Sequence, residues 1–280
     1  MPENDPLIPV HVAIPLDRAT PPGPVTPAPI APMWHTVVLI AGIISLSILG
    51  KAQMAPTHRA ANRLLIYGET AGMEFLMLAW VAWGLRLRRV PFQSIFGHVT
   101  KGIRGIALDI GIAFLFWIGS LSILGTLGIL WTGVEIAIQH RHLPSHPGQQ
   151  PLGPTPEEKQ TVRTLEQLAP ANTTEVACWL LVCVIAGFVE EAVFRGYLQR
   201  QFTAWAHGGV AAGVAFSALL FGAAHGYQGI RNMVLLAVFG ALFSLLAIFR
   251  RGLRAGICAH GWHDMIAGLA LAALRSHHII

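Results

Sequence analysis

Glu190-Glu191-Ala192-Val193-Phe194-Arg195 puts three charged side chains inside an apolar run that starts near Val176. On the surface of a soluble helix such a hexapeptide would be unremarkable. At membrane depth each charge costs several kcal/mol, so ionisable groups there are rare and usually serve a site. Two apolar stretches further along carry His225 and the pair His260 and Asp264. Polar groups delivered by three neighbouring spans predict one buried polar site.

Composition supports membrane depth. The chain has 280 residues, 54% hydrophobic and only 12% charged, with mean hydropathy +0.56. Soluble domains carry about 25% charged residues, so the expected class is all-α, a polytopic integral membrane protein. The net charge of +5 requires no nucleic acid, because the basic residues flank apolar segments, where they set topology and meet anionic lipid. Cys178, Cys183 and Cys258 lie in apolar stretches without a CxxC pair, which reads as packing.

A helix needs roughly 20 apolar residues to cross a hydrocarbon core. Candidate spans are 34–50, 64–85, 103–136, 175–200, 209–228, 231–249 and 253–274. The third is too long for one simple crossing and can break near Gly125 or Gly128, which gives seven or eight membrane helices. Ten of the 18 prolines fall within residues 1–32, so 1–33 reads as a disordered tail with no signal peptide, ahead of a helical domain over 34–280. The polar loop 139–174 contains Thr155-Pro156-Glu157-Glu158, a capping box that opens a short amphipathic helix. The basic cluster Arg86, Arg88, Arg89, Lys101 and Arg104, with Arg250, Arg251 and Arg254, favours an inner amino terminus.

Local geometry assigns roles. Glu191 and Arg195 are an i,i+4 pair suited to a salt bridge, while Glu190 points about 100° away and is free to face a cavity. Phe221 and His225, and His260 and Asp264, share the same spacing. Nearly equal numbers of residues separate the turn at His207 from Glu190 and from His225, so an antiparallel hairpin brings the two to one level. His260 lies close to the next inner turn. All three are level only if the first hairpin protrudes farther on that side. A glutamate can then activate water as a general base. The two histidines can hold an oxyanion, or bind a divalent metal such as zinc. Asp264 can orient His260.

Glu190-Glu191-x-x-x-Arg195, then Phe221-x-x-x-His225, then His260-x-x-x-Asp264 resembles, in order, the motifs of the CAAX protease and bacteriocin-processing family of intramembrane proteases, over roughly 175–275. The resemblance implies a helical core with a conical cavity open to the cytosol. It implies an endopeptidase cutting near the carboxyl terminus of prenylated proteins or small peptides. Glu190, His225, His260 and Asp264 would be catalytic, with Glu191, Arg195 and Phe221 in support. Asp264 stands where the Ras-converting branch has asparagine, and an aspartate donates no hydrogen bond unless protonated.

Two other readings stay open. A catalytically silent scaffold or immunity protein within a membrane complex would keep the fold, and paired histidines on spans can ligate b-type haem. Glu69 and Glu74, in the second span, read as structural more readily than as cavity lining. His263 reads as a locally bonded residue, and His277-His278 is too short for a metal site.

Overall fold

Seven helices make up most of the described residues, which are 27–53, 62–98, 102–142 and 168–276 of a computed structural model. They are α1 (Met33–Gln53), α2 (Arg63–Leu87), α3 (Gly102–His142), α4 (Thr173–Trp205), α5 (Val210–Ala224), α6 (Ile230–Arg250) and α7 (Arg254–Ser276). Short 3-10 turns occur at Phe92–Phe96 and Gly226–Gln228. Among the described residues there is no strand, and all the helices but α5 are long and apolar enough to cross a membrane. The protein is an all-α, multi-pass membrane protein. Residues 1–26 of the expected tail, the capping sequence at Thr155 and His277-His278 lie outside the described residues.

Two expected spans come out differently. The 103–136 stretch does not break at Gly125 or Gly128: Gly102–His142 is one helix of 41 residues, about 60 Å long and so longer than a bilayer core. Arg231 braces it from α6 by donating to Gly128 O at 3.0 Å. The 209–228 span is shorter than expected, because α5 ends at Ala224 and the chain turns through Gly229 at φ 93°. A side chain there would be strained.

α4 begins with a reciprocal cap. Asn172 accepts from Glu175 N at 2.9 Å, and the Glu175 carboxylate accepts from Ala171 N at 2.7 Å. α2 runs parallel beside α4: Arg63 pairs with Glu175 at 3.7 Å, and the Tyr67 ring meets Trp179 at 5.5 Å. Farther along the pair, His35 joins them by bonding Trp80 O and the Tyr197 hydroxyl, each at 2.9 Å. α7 runs antiparallel to α4, with Trp179 Nε1 donating to Asp264 O at 3.2 Å. The two backbones touch at Gly187, where a Cβ would stand 2.8 Å from Gly261 N.

The first hairpin does protrude. Arg200 donates to Ser94 O at 2.8 Å, while Leu253 N donates to Phe96 O at 3.1 Å. The 92–98 turn therefore links the level of residues near 200 to the α6–α7 turn, and residues 201–209 extend past it. Ile30 and Ala31, from the end of the expected tail, are held there by Gln201, with Ile30 N donating to its Oε1 at 2.9 Å. The buried core centres on α4, with Phe194, Tyr197 and Leu198 packed against Phe221, Phe239 and Phe243. Leu115, Ile129, Leu219 and Phe249 are among the large apolar side chains left on the outside, where lipid would cover them.

Candidate active site

The helical ladder of α4 changes at the glutamate pair. Thr173–Glu190 is α-helical, Glu191–Leu198 is π-helical, and Gln199–Trp205 is α-helical again. A π-turn bonds i to i+5, widens the helix and is frequent at functional sites. Gln199 N donates to Phe194 O across the wide turn, and Ser217 of α5 donates to the same carbonyl at 2.7 Å.

Glu191 and Arg195 form the expected ion pair at 3.0 Å, with neither side chain exposed. Arg195 also donates to Gly240 O at 3.1 Å, and its guanidinium lies 4.4 Å from the Phe221 ring centre and 5.2 Å from that of Phe243. The cation is thus neutralised by one carboxylate and enclosed by aromatic faces.

Glu191 does more than pair with Arg195. His260 Nδ1 donates to its Oε1 at 3.0 Å, since a carboxylate can only accept. This bond leaves Nε2 of His260 facing the other two carboxylates. Glu190 Oε2 lies 3.6 Å from that Nε2 and Asp264 Oδ2 lies 3.7 Å from it, both beyond direct hydrogen-bonding distance. In this geometry the direct hydrogen bond of the His260 ring goes to Glu191, while Asp264 stands off at 3.7 Å. The close approach at Gly187 and Gly261 lets α7 come near enough for both glutamates to reach one imidazole.

His225 caps the end of α5, and its Nδ1 donates to Phe221 O at 2.8 Å, so its Nε2 is also the free atom. It meets the cluster through Phe221, whose ring is 4.8 Å from the His225 ring and 6.0 Å from that of His260. Among the described residues His225 makes no ion pair with the carboxylates that surround His260.

Phe221 touches both imidazoles. Among the described residues no three His, Cys, Asp or Glu side chains are grouped to hold a metal ion. His225 and His260, the candidate ligands, are by themselves two of the three or more protein side chains that a zinc site takes. Among the described residues the Nδ1 of His263 is buried without a hydrogen-bond partner, and its ring packs on Phe239 at 4.8 Å.

Two further side chains belong to the surroundings of the cluster. Glu74 of α2 is buried at 6% exposure, within electrostatic reach of Glu190 and Asp264. Tyr227, in the turn after His225, lies within reach of the same three carboxylates. Glu74 carried one signal in the sequence: neither Thr70 nor Leu78, four residues to either side, gives it a charged partner. Tyr227 carried none, because a turn rather than a helix period places it.

Residues 172–266 match the family model described as type II CAAX prenyl endopeptidase Rce1-like. No curated protein and no solved structure matches the chain. The matched segment runs from the start of α4 into α7 and contains all three motifs together with the π-turn, whereas α2 and Glu74 lie outside it. Over these residues the chain is similar to the type II CAAX prenyl endopeptidases, in keeping with the resemblance carried by the three motifs.

Proposed function

We propose that the protein is an intramembrane endopeptidase that hydrolyses a peptide bond near the carboxyl terminus of a protein or small peptide, with water activated by Glu190. The observation that carries this reading is that Glu190 and Glu191 meet opposite nitrogens of His260, at 3.6 and 3.0 Å. Glu191 fixes the ring, and Glu190, at 14% side-chain exposure and with Oε2 free of hydrogen bonds, is left to act on water. Glu190 takes a proton as the water oxygen attacks the scissile carbonyl carbon. The carbonyl electron pair moves to oxygen, where a protonated Nε2 of His260 and of His225 would donate to it. Asp264 then acts as a counter-charge to the His260 imidazolium, a role that needs no donor. Collapse breaks the C–N bond, and the proton held by Glu190 passes to the leaving amine.

Arg86, Arg88, Arg89, Arg104, Arg250, Arg251 and Arg254 gather at the bundle end that carries the protruding hairpin. By the positive-inside rule this end faces the cytosol, and the soluble part of a substrate would enter from it. A lipid chain on the substrate suits a site within a lipid-covered bundle, and the family match points to prenylated proteins. The test compares membrane fractions from cells that make wild-type protein or the Glu190→Gln variant, by proteomics of new carboxyl termini. New termini should appear with wild type alone while the variant accumulates normally. A purified Glu190→Gln protein that cleaves at a near-normal rate would refute the assignment.

A further inference from the structure

Glu74 is a buried ionisable group that the proposed reaction leaves without a task. Its side chain comes from α2, outside the family match, and the residue is 6% exposed. The parallel register of α2 and α4, set by Arg63 with Glu175 and by Tyr67 with Trp179, puts Glu74 level with Ala186, one turn before Glu190. Its charged neighbours among the described residues are Glu190 and Asp264, both carboxylates. Oε2 of Glu74 and Oε2 of Glu190 are both buried without a hydrogen-bond partner.

An anion at position 74 would be buried, unpaired and beside two like charges, the costliest arrangement for a carboxylate. A carboxylic acid there would instead carry an O–H, the one thing that a neighbouring carboxylate can accept. We infer that Glu74 is a positioning residue, held as the neutral acid, which donates through one bridging water to Glu190 and fixes the orientation of that carboxylate. The bridge would satisfy both orphaned oxygens at once. The catalytic part of this inference rests on the hydrolytic reading above. The protonated, coupled state of Glu74 does not.

That state can be read without turnover. Infrared spectra of full-length protein in lipid vesicles at neutral pH should contain a carboxylic-acid carbonyl band that is absent in Glu74→Gln and displaced in Glu190→Gln. A spectrum unchanged by Glu74→Gln would mean that Glu74 is ionised. A band that Glu190→Gln leaves unmoved would mean that the two groups are uncoupled. Either result overturns the inference.

Turnover of a farnesylated peptide with a CAAX-type end tests the consequence. Glu74→Gln, which keeps a neutral donor, should stay within about threefold of wild type. Glu74→Leu, of similar size but without a donor, should lose at least tenfold in kcat, with KM and thermal stability little changed. Full activity in Glu74→Leu would refute the positioning role, and an equal loss in both variants would mean that charge matters rather than the donor. Activity that survives Glu190→Gln would sink the hydrolytic reading instead, with the infrared result still deciding the state of Glu74.

Discussion

Replacing Glu191 by glutamine removes one negative charge from a place where two cationic or proton-donating partners depend on it. Arg195 Nη1 and His260 Nδ1 each lie 3.0 Å from Glu191 Oε1, and neither Glu191 nor Arg195 has an exposed side chain. At that separation, and with an effective dielectric of about 20, the attraction between the two charges is about 5–6 kcal/mol. Much of it offsets the cost of burying them, so the pair is worth less than this as a net term. Removing one partner costs more than the net worth of the pair, because it leaves an uncompensated charge. The expected loss is about 3–5 kcal/mol. For a domain of this size that corresponds to a fall of about 6–20 °C in Tm.

The assay is thermal unfolding of the purified protein in one detergent, followed by tryptophan fluorescence, alongside Glu190→Gln as control. The control removes the neighbouring charge, which has no cation paired to it at hydrogen-bonding distance, and should fall by less than about 1 kcal/mol. Glu191→Gln combined with Arg195→Met removes both charges and should recover part of the loss, although Gly240 O then loses its donor. Turnover should be absent in Glu191→Gln and in the double variant, since His260 Nδ1 loses its charged acceptor in both. A Glu191→Gln protein as stable as wild type would refute the argument, and so would a double variant less stable than the additive sum of its two single changes.

The other predictions concern packing and orientation. Gly187→Val should push α4 off α7, because a Cβ at 187 would already stand 2.8 Å from Gly261 N. Lost turnover together with a lowered Tm is expected, whereas Gly261→Ala should be milder, as its Cβ meets nothing nearer than Cys183 O at 3.6 Å. His207→Cys, in a background where Cys178, Cys183 and Cys258 are alanine, should react with a membrane-impermeant maleimide only from the cytosolic side; reaction from the opposite side alone would invert the proposed orientation.

The sequence made pairs at short range legible, and the structure explains why they were. Glu191 and Arg195 sit four residues apart, and the apolar surroundings of the run leave each with little choice but the other. The hairpin argument, from nearly equal distances to His207, rests on chain geometry alone. The continuity of α3 was not legible, because a glycine breaks a membrane helix or not according to what stands opposite it. At Gly128 that is Arg231, more than 100 residues away in the chain. The end of α5 was hidden for a similar reason, since the apolar run continues in composition past Ala224 while the backbone turns at Gly226–Gln228. Glu74 belongs to no motif, and its relation to Glu190 depends on the parallel register of two helices that only the folded bundle sets.

The π-turn was the least visible feature and the one with most consequence. Adjacent residues on a regular α-helix point about 100° apart, so Glu190 and Glu191 were expected to serve separate surfaces, one the cavity and one the bundle. They serve both nitrogens of a single ring instead, which ties the proposed base to the group that orients its partner. The wide turn opens directly after Glu190, and Ser217 and Gln199 share Phe194 O within it. Those partners come from tertiary contact and from five residues along the chain, neither of which helix propensity reports. Because Arg195 lies inside the same wide turn, its bond to Gly240 and its aromatic enclosure hold α6 and α5 to the segment that aims the glutamates. A disturbance at Arg195 should therefore reach Glu190 through the backbone before it reaches it through charge. On this argument Arg195→Lys, which keeps the charge and loses the planar fork, behaves as a site mutation and not as a conservative change.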